Sequence, residues 1–120
     1  MQVRQFETGA TKSSDAGKPN YHAILSPLVI HRYGEYMNKH RLQPDGSLRQ
    51  PDNWKKGIPQ ADYFDSMHRH FLDLWLHHDG FSSFTVEDYE ESLTALYFNV
   101  QGYLHEILKE KYAKNNQDTI

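Results

Sequence analysis

The chain has no cysteine among its 120 residues. Disulfide staples, thiolate metal sites and thiol nucleophiles are therefore excluded. No apolar run approaches the roughly 18 residues of a membrane span. The start, Met1-Gln2-Val3-Arg4-Gln5, lacks the apolar core of a secretory leader, so a cytoplasmic protein is expected. Basic charge is short as well: 13 Lys and Arg stand against 16 Asp and Glu, for a net charge of -3. That balance excludes direct nucleic-acid binding through a positive field. Neither a serine nucleophile elbow nor a glycine run with P-loop spacing occurs.

Hydrophobic residues are scarce too, at 38%, and aromatics at 13% must carry much of the burial. One domain of this size and polarity has a thin core. The composition therefore predicts a homo-oligomer, a homodimer or homotetramer, whose interface completes that core.

The pattern along the chain predicts an all-α fold. Residues 1–20 are polar, small and aperiodic, and read as an N-terminal arm without regular structure. Ser26-Pro27 opens a first helix to about Lys39, with Leu28, Val29, Tyr33, Tyr36 and Met37 at helical spacing. Turn residues then dominate from Arg41 to Pro59, a long ordered loop containing Asn53-Trp54-Lys55-Lys56-Gly57. Trp54 in such a loop either anchors it to the core or stacks on a ligand ring.

A second helix is expected from Gln60 to His78, stopped by Gly80. A third is expected from Val86 to Tyr112, opened by a capping box at Thr85 and Asp88. On the second, Phe64, Met67, Phe71, Leu74 and Trp75 form the expected core stripe. The row Tyr63, Ser66, His70, Asp73 and His77, free of Lys and Glu, reads as a functional face. On the third, Tyr89, Leu93, Leu96, Val100, Tyr103, Leu104 and Ile107 make the apolar stripe. Beside it run Asp88, Glu91, Ser92, Ala95, Asn99 and Gly102, where small residues leave room for a helix or a ligand. The expected architecture is an antiparallel bundle of three main helices, with the arm at 1–20, a helical ligand-binding domain at 21–114 and a frayed tail at 115–120, completed by oligomerisation.

His70 and Asp73, then Asp88 and Glu91, are two i,i+3 pairs on consecutive helices. A zinc site would want closely spaced histidines, and His70 and His77 lie two turns apart. Oxygen ligands suit magnesium better: Asp73, Asp88 and Glu91 would hold Mg²⁺ or Mn²⁺, with phosphate and water completing the octahedron. His70, Asp73 and Glu91 would carry the chemistry on a metal-held phosphate. Glu87 is explained by helix-end electrostatics, and Glu35 reads either as a solvated charge or as a further carboxylate reaching the site.

The paired acids resemble the Glu-x-x-Glu and Glu-x-x-Asp motifs of the all-α nucleoside triphosphate pyrophosphohydrolases, the MazG and dimeric dUTPase group, with His70 replacing the first acid. A closer resemblance runs through residues 6–107. Phe6-Glu7-Thr8-Gly9-Ala10, Gly17-Lys18, Leu25-x-Pro27, Tyr33-Gly34, Asn53-Trp54-x-Lys56-Gly57, Arg69-His70 and Phe98-Asn99 recur in order. Together they resemble the phage and bacterial dATP/dGTP diphosphohydrolase N-terminal family. That resemblance implies hydrolysis of a purine deoxynucleoside triphosphate to monophosphate and pyrophosphate, in a host cytoplasm if the gene is phage-borne. Lys18, Lys55, Lys56 and Arg69 would neutralise phosphates, Trp54 would stack on the base, and Asn99 would complete the nucleotide site. Two alternatives stand beside it: a non-catalytic nucleotide sponge, and a helical oligomeric interaction subunit.

Overall fold

In the computed structural model the chain is described over residues 3–118, with side chains through Lys114. It is mostly helical, with three main helices packed together and a small N-terminal hairpin. The hairpin pairs β1 (Val3–Gln5) antiparallel with β2 (Thr11–Ser13), joining Arg4 to Lys12 in register. The arm thus carries regular structure where the sequence pattern offered none, because three-residue strands are too short to show a period. A single helical turn, α1 (Tyr21–Ile24), follows; the Asn20 side chain accepts the Ala23 N–H at 3.2 Å.

Helix α2 (Pro27–Lys39) begins where Ser26 caps it, its hydroxyl accepting the Val29 N–H at 3.3 Å. The loop beyond is more ordered than turn chemistry alone suggests. Leu42 and Leu48 form an isolated bridge, and a 3-10 turn at Asn53–Lys56 carries Trp54. Helix α3 (Gln60–His78) ends as Gly80 predicts. Gly80, at φ +89°, donates to His77, and Phe81 donates to Leu76 at 2.7 Å, which closes the last carbonyls.

Helix α4 (Tyr89–Asp118) starts three residues later than expected. Thr85 spends its hydroxyl on the Ser82 carbonyl at 2.6 Å, and Asp88 is itself the cap, accepting the Glu91 N–H at 2.7 Å. At the other end the helix runs through Asp118; Thr119 and Ile120, the end of the expected frayed tail, lie outside the described residues.

The packing of α3 on α4 inverts the expected faces. Tyr63 and Asp73 are the buried residues of α3. Opposite them on α4 the buried positions are Ser92, Ala95, Asn99 and Gly102, the small and polar row. The Tyr63 ring meets Phe98 at 5.9 Å near one end, and Asp73 reaches Glu87 at the other, so the helices are antiparallel. Much of both apolar stripes is left outside: Phe71 is 52% exposed and Trp75 56%, with Val100 at 49% and Leu104 at 53%, while Met67, Leu74, Leu96 and Tyr103 are half-buried. Small residues allow a close helix approach that bulky ones forbid, and here close approach prevailed over apolar burial.

The outcome is an open molecule. Its radius of gyration is 20.1 Å, against about 14 Å for a compact chain of this length. Among the described residues only Tyr36, Tyr63 and Ala95 are buried hydrophobics.

Candidate functional site

The α3–α4 junction is built around Asp73. Its Oδ2 accepts the backbone N–H groups of both Val86 and Glu87, each at 3.2 Å. This carboxylate therefore fixes the turn that leads into α4. Fixing that turn delivers Glu87 to His70, whose Nδ1–H donates to the Glu87 carboxylate. Two turns on from His70, His77 donates from Nε2 to the Glu87 carbonyl at 2.7 Å, and its Nδ1 lies 2.8 Å from the Ser82 hydroxyl.

Glu91 faces the other way, toward α2. Arg32 donates to it at 2.7 Å and to Glu90 alongside, Lys39 donates at 3.2 Å, and His40 Nε2 stands at 3.6 Å. The Arg32 hydrogen bond, ahead of those from Lys39 and His40, holds the Glu91 carboxyl below its usual range. Reciprocally, Glu91 and then Glu90 push the Arg32 guanidinium upward.

Beside this cluster a cavity of about 170 Å³ opens between α2, the long loop and α4. Tyr36, His40, Arg41, Arg49, Trp54 and Phe98 line it. Trp54 packs edge-on against His105 at 4.9 Å and Phe98 at 6.4 Å, so it anchors the loop and walls the cavity at once. Arg41 and Arg49 tie the loop together, Arg41 Nε donating to the Arg49 carbonyl at 2.7 Å and Arg49 to the His40 carbonyl at 3.3 Å. Tyr36 joins cavity and acids. Burial, then the nearby Glu87 and Glu91 carboxylates, push its hydroxyl up to about 12.

The four residues expected to converge are thus distributed. Asp73 is a backbone anchor, Asp88 a helix cap, His70 the partner of Glu87, and Glu91 the partner of Arg32. Among the described residues no three His, Asp or Glu side chains form a group able to hold a metal ion by themselves. Asn99 is buried in the helix interface, its Nδ2 donating to the Ala95 carbonyl at 2.8 Å. Arg69 donates to Ser66 at 2.9 Å, Lys18 is exposed on the arm, and Lys55 lies over the Trp54 ring at 5.7 Å with Lys56 exposed beside it. Glu35 pairs with His31 on the surface of α2.

Three groups of residues were missed by the sequence reading: Glu87, the basic row Arg32, Lys39 and His40, and the loop arginines Arg41 and Arg49. The first two carried a signal, since 32, 36 and 39 or 40 share one helix face, as do 87 and 91 in spacing. No protein family, curated protein or solved structure compared with the chain matches it. Within the described residues no helix is long and apolar enough to cross a membrane.

Proposed function

We propose that the chain is the protomer of an oligomeric nucleotide pyrophosphohydrolase, its site formed by the aromatic–basic cavity and the adjoining acids Glu87 and Glu91. One observation carries this reading: the cavity walled by Tyr36, Trp54, Arg41 and Arg49 is also lined by His40, which stands 3.6 Å from the Glu91 carboxylate. The cavity falls short of the roughly 300 Å³ of a whole-ligand pocket. It suits a ring, leaving the phosphates outside, where Arg41, Arg49 and Lys39 supply positive charge. The motif series resembling the dATP/dGTP diphosphohydrolase family favours a purine deoxynucleotide in that place.

Magnesium commonly takes one or two protein carboxylates and fills its remaining positions with phosphate oxygens and water. Glu87 and Glu91 would supply that donor set once the side chains now paired with them turn to the phosphates, whereas Asp73 Oδ2 holds the two backbone N–H groups that fix the turn into α4. A bound Mg²⁺ or Mn²⁺ would polarise the phosphoryl group and acidify a water. The chain's own part would be the His70–Glu87 pair: with Nδ1–H held by Glu87, a neutral His70 would offer Nε2 to the proton of an attacking water. Arg32 and Lys39 would release Glu91 as the phosphates arrive and redirect their donors to phosphate oxygen.

Incubation with purine and pyrimidine deoxynucleoside triphosphates and Mg²⁺ or Mn²⁺ tests the proposal. Monophosphate and pyrophosphate are the expected products, with purines preferred. No turnover of any of them would sink it. A second reading, sequestration without cleavage, is favoured by the ion pairs that already neutralise Glu91. Recovery of unchanged nucleotide after denaturing the complex would support that reading.

A further inference from the structure

Residues 15–31 are exposed throughout, and the segment carries large apolar side chains at Tyr21, Ile24 and Leu25. Ahead of it the β1–β2 hairpin carries Val3 and Phe6, also exposed. A two-stranded hairpin and a one-turn helix have no independent stability in water. Their order requires a surface to lie on.

Such a surface exists on the body of the molecule. Leu28 and Val29 of α2 and Leu93 and Tyr97 of α4 line an apolar groove of about 470 Å³. Its floor includes Tyr33, whose hydroxyl is buried without a hydrogen-bond partner. Arg32 and Glu90, paired with one another, form a polar edge.

The groove sits beside the origin of the arm, yet the arm does not cover it: residues 15–31 are exposed throughout, with Leu28 at 82% and Val29 at 47%. Leu25 at ψ 148° and Ser26 at ψ 118° are both extended, and Pro27 fixes the first helical residue. The groove is therefore open to the arm of another copy.

The exposed area points to the same partner. The chain exposes 9660 Å², where a compact protein of this length exposes about 6,700 Å². The excess is several times the roughly 800 Å² that each partner buries in a standard interface. A self-complementary exchange would close as a two-fold dimer, each arm on the other copy's groove.

We propose that the N-terminal arm is an exchanged element: Tyr21, Ile24 and Leu25 of one copy cover the α2–α4 groove of a second copy. This rests on the oligomeric part of the function proposed above and is independent of the nucleotide. Because the chain has no cysteine, engineered thiols report the geometry directly. Two full-length variants, Ile24→Cys and Leu93→Cys, replace exposed residues, so neither should disturb the protomer. One is made with a longer tag, the two are mixed without nucleotide, and mild oxidant is added.

A cross-variant disulfide dimer is expected, in several-fold excess over like-with-like products. The double variant Ile24→Cys/Leu93→Cys should also crosslink between chains. A disulfide within one chain of the double variant, at monomer mass, would overturn the exchange in favour of a folded-back arm. A dimer by light scattering with no cross-variant product would overturn the arm alone and leave the oligomer standing. A monomer by light scattering would overturn both.

Discussion

Gly102 of α4 lies directly beneath the ring of Tyr63. A Cβ at position 102 would fall inside van der Waals contact of Cε1, Cζ and Oη. The room that a glycine leaves on the small-residue row is therefore already taken, and by a buried aromatic that is 1% exposed. Gly102→Ala should lower stability by about 1–3 kcal/mol, as overpacking does. Tyr63→Phe should be nearly neutral, because the Tyr63 hydroxyl is buried without a hydrogen-bond partner. Denaturant titration of both variants checks the pair, and a tolerated alanine at 102 would contradict the close α3–α4 approach.

Asp73 separates an anchor from a metal ligand. Asp73→Ala leaves the Val86 and Glu87 N–H groups without an acceptor and should cost about 1–3 kcal/mol. Asp73→Asn keeps an oxygen for those donors and should retain most of the stability and most of any nucleotide turnover. Loss of turnover in a stable Asp73→Asn protein would return Asp73 to the chemistry.

Glu91 and His70 should behave differently from Asp88. Glu91→Gln and His70→Ala are expected to reduce turnover by about 10²–10⁴-fold, the range for a displaced acid–base or charge partner. Asp88→Asn, which keeps a capping oxygen, should reduce it little. Steady-state rates with a purine deoxynucleoside triphosphate decide among them.

Acid should loosen α2 from α4. The Glu91 carboxyl titrates below its ordinary value of 4.5 when folded, chiefly because Arg32 donates to it. Its contribution is then fully present above pH 4.5 and is lost as pH falls through the lowered value. The melting temperature of the native chain should drop through that window. Arg32→Gln should lower the melting temperature at neutral pH, and the gap to the native chain should narrow as acid is added. A constant gap from neutral to acid would contradict the pairing.

The loop arginines should govern affinity. Arg49→Ala should weaken nucleotide binding by about tenfold through the loss of a charge-assisted bond, with little change in turnover at saturation. Trp54→Ala should impair both, since that ring also seats the loop on Phe98 and His105. Calorimetric titration at two salt concentrations separates the charge effect from the packing effect.

Helix existence was legible because α2, α3 and α4 each carry several periods of apolar spacing and recognisable stops. Facing was not. Periodicity locates an apolar stripe but does not say whether a neighbouring chain or the same chain covers it, and here Leu93, Val100 and Leu104 are uncovered within the protomer. The row His70, Asp73 and His77 reads in the sequence as a functional face, and its partners in the fold are backbone groups, Ser82 and Glu87. Residue type alone does not distinguish a carboxylate that will bind an ion from one that will bind two amides. Glu87 was set aside for the same reason: helix-end charge explains an acid before α4, but the direction of its side chain comes from the turn that Asp73 fixes.

The cations around Glu91 also bear on the order of events in the proposed reaction. A carboxylate already matched by Arg32 and Lys39 offers little to a hydrated ion arriving by itself. A ligand bringing enough negative charge to occupy those two side chains would set the carboxylate free. In the proposed reaction the metal would then enter as a passenger of the nucleotide rather than ahead of it.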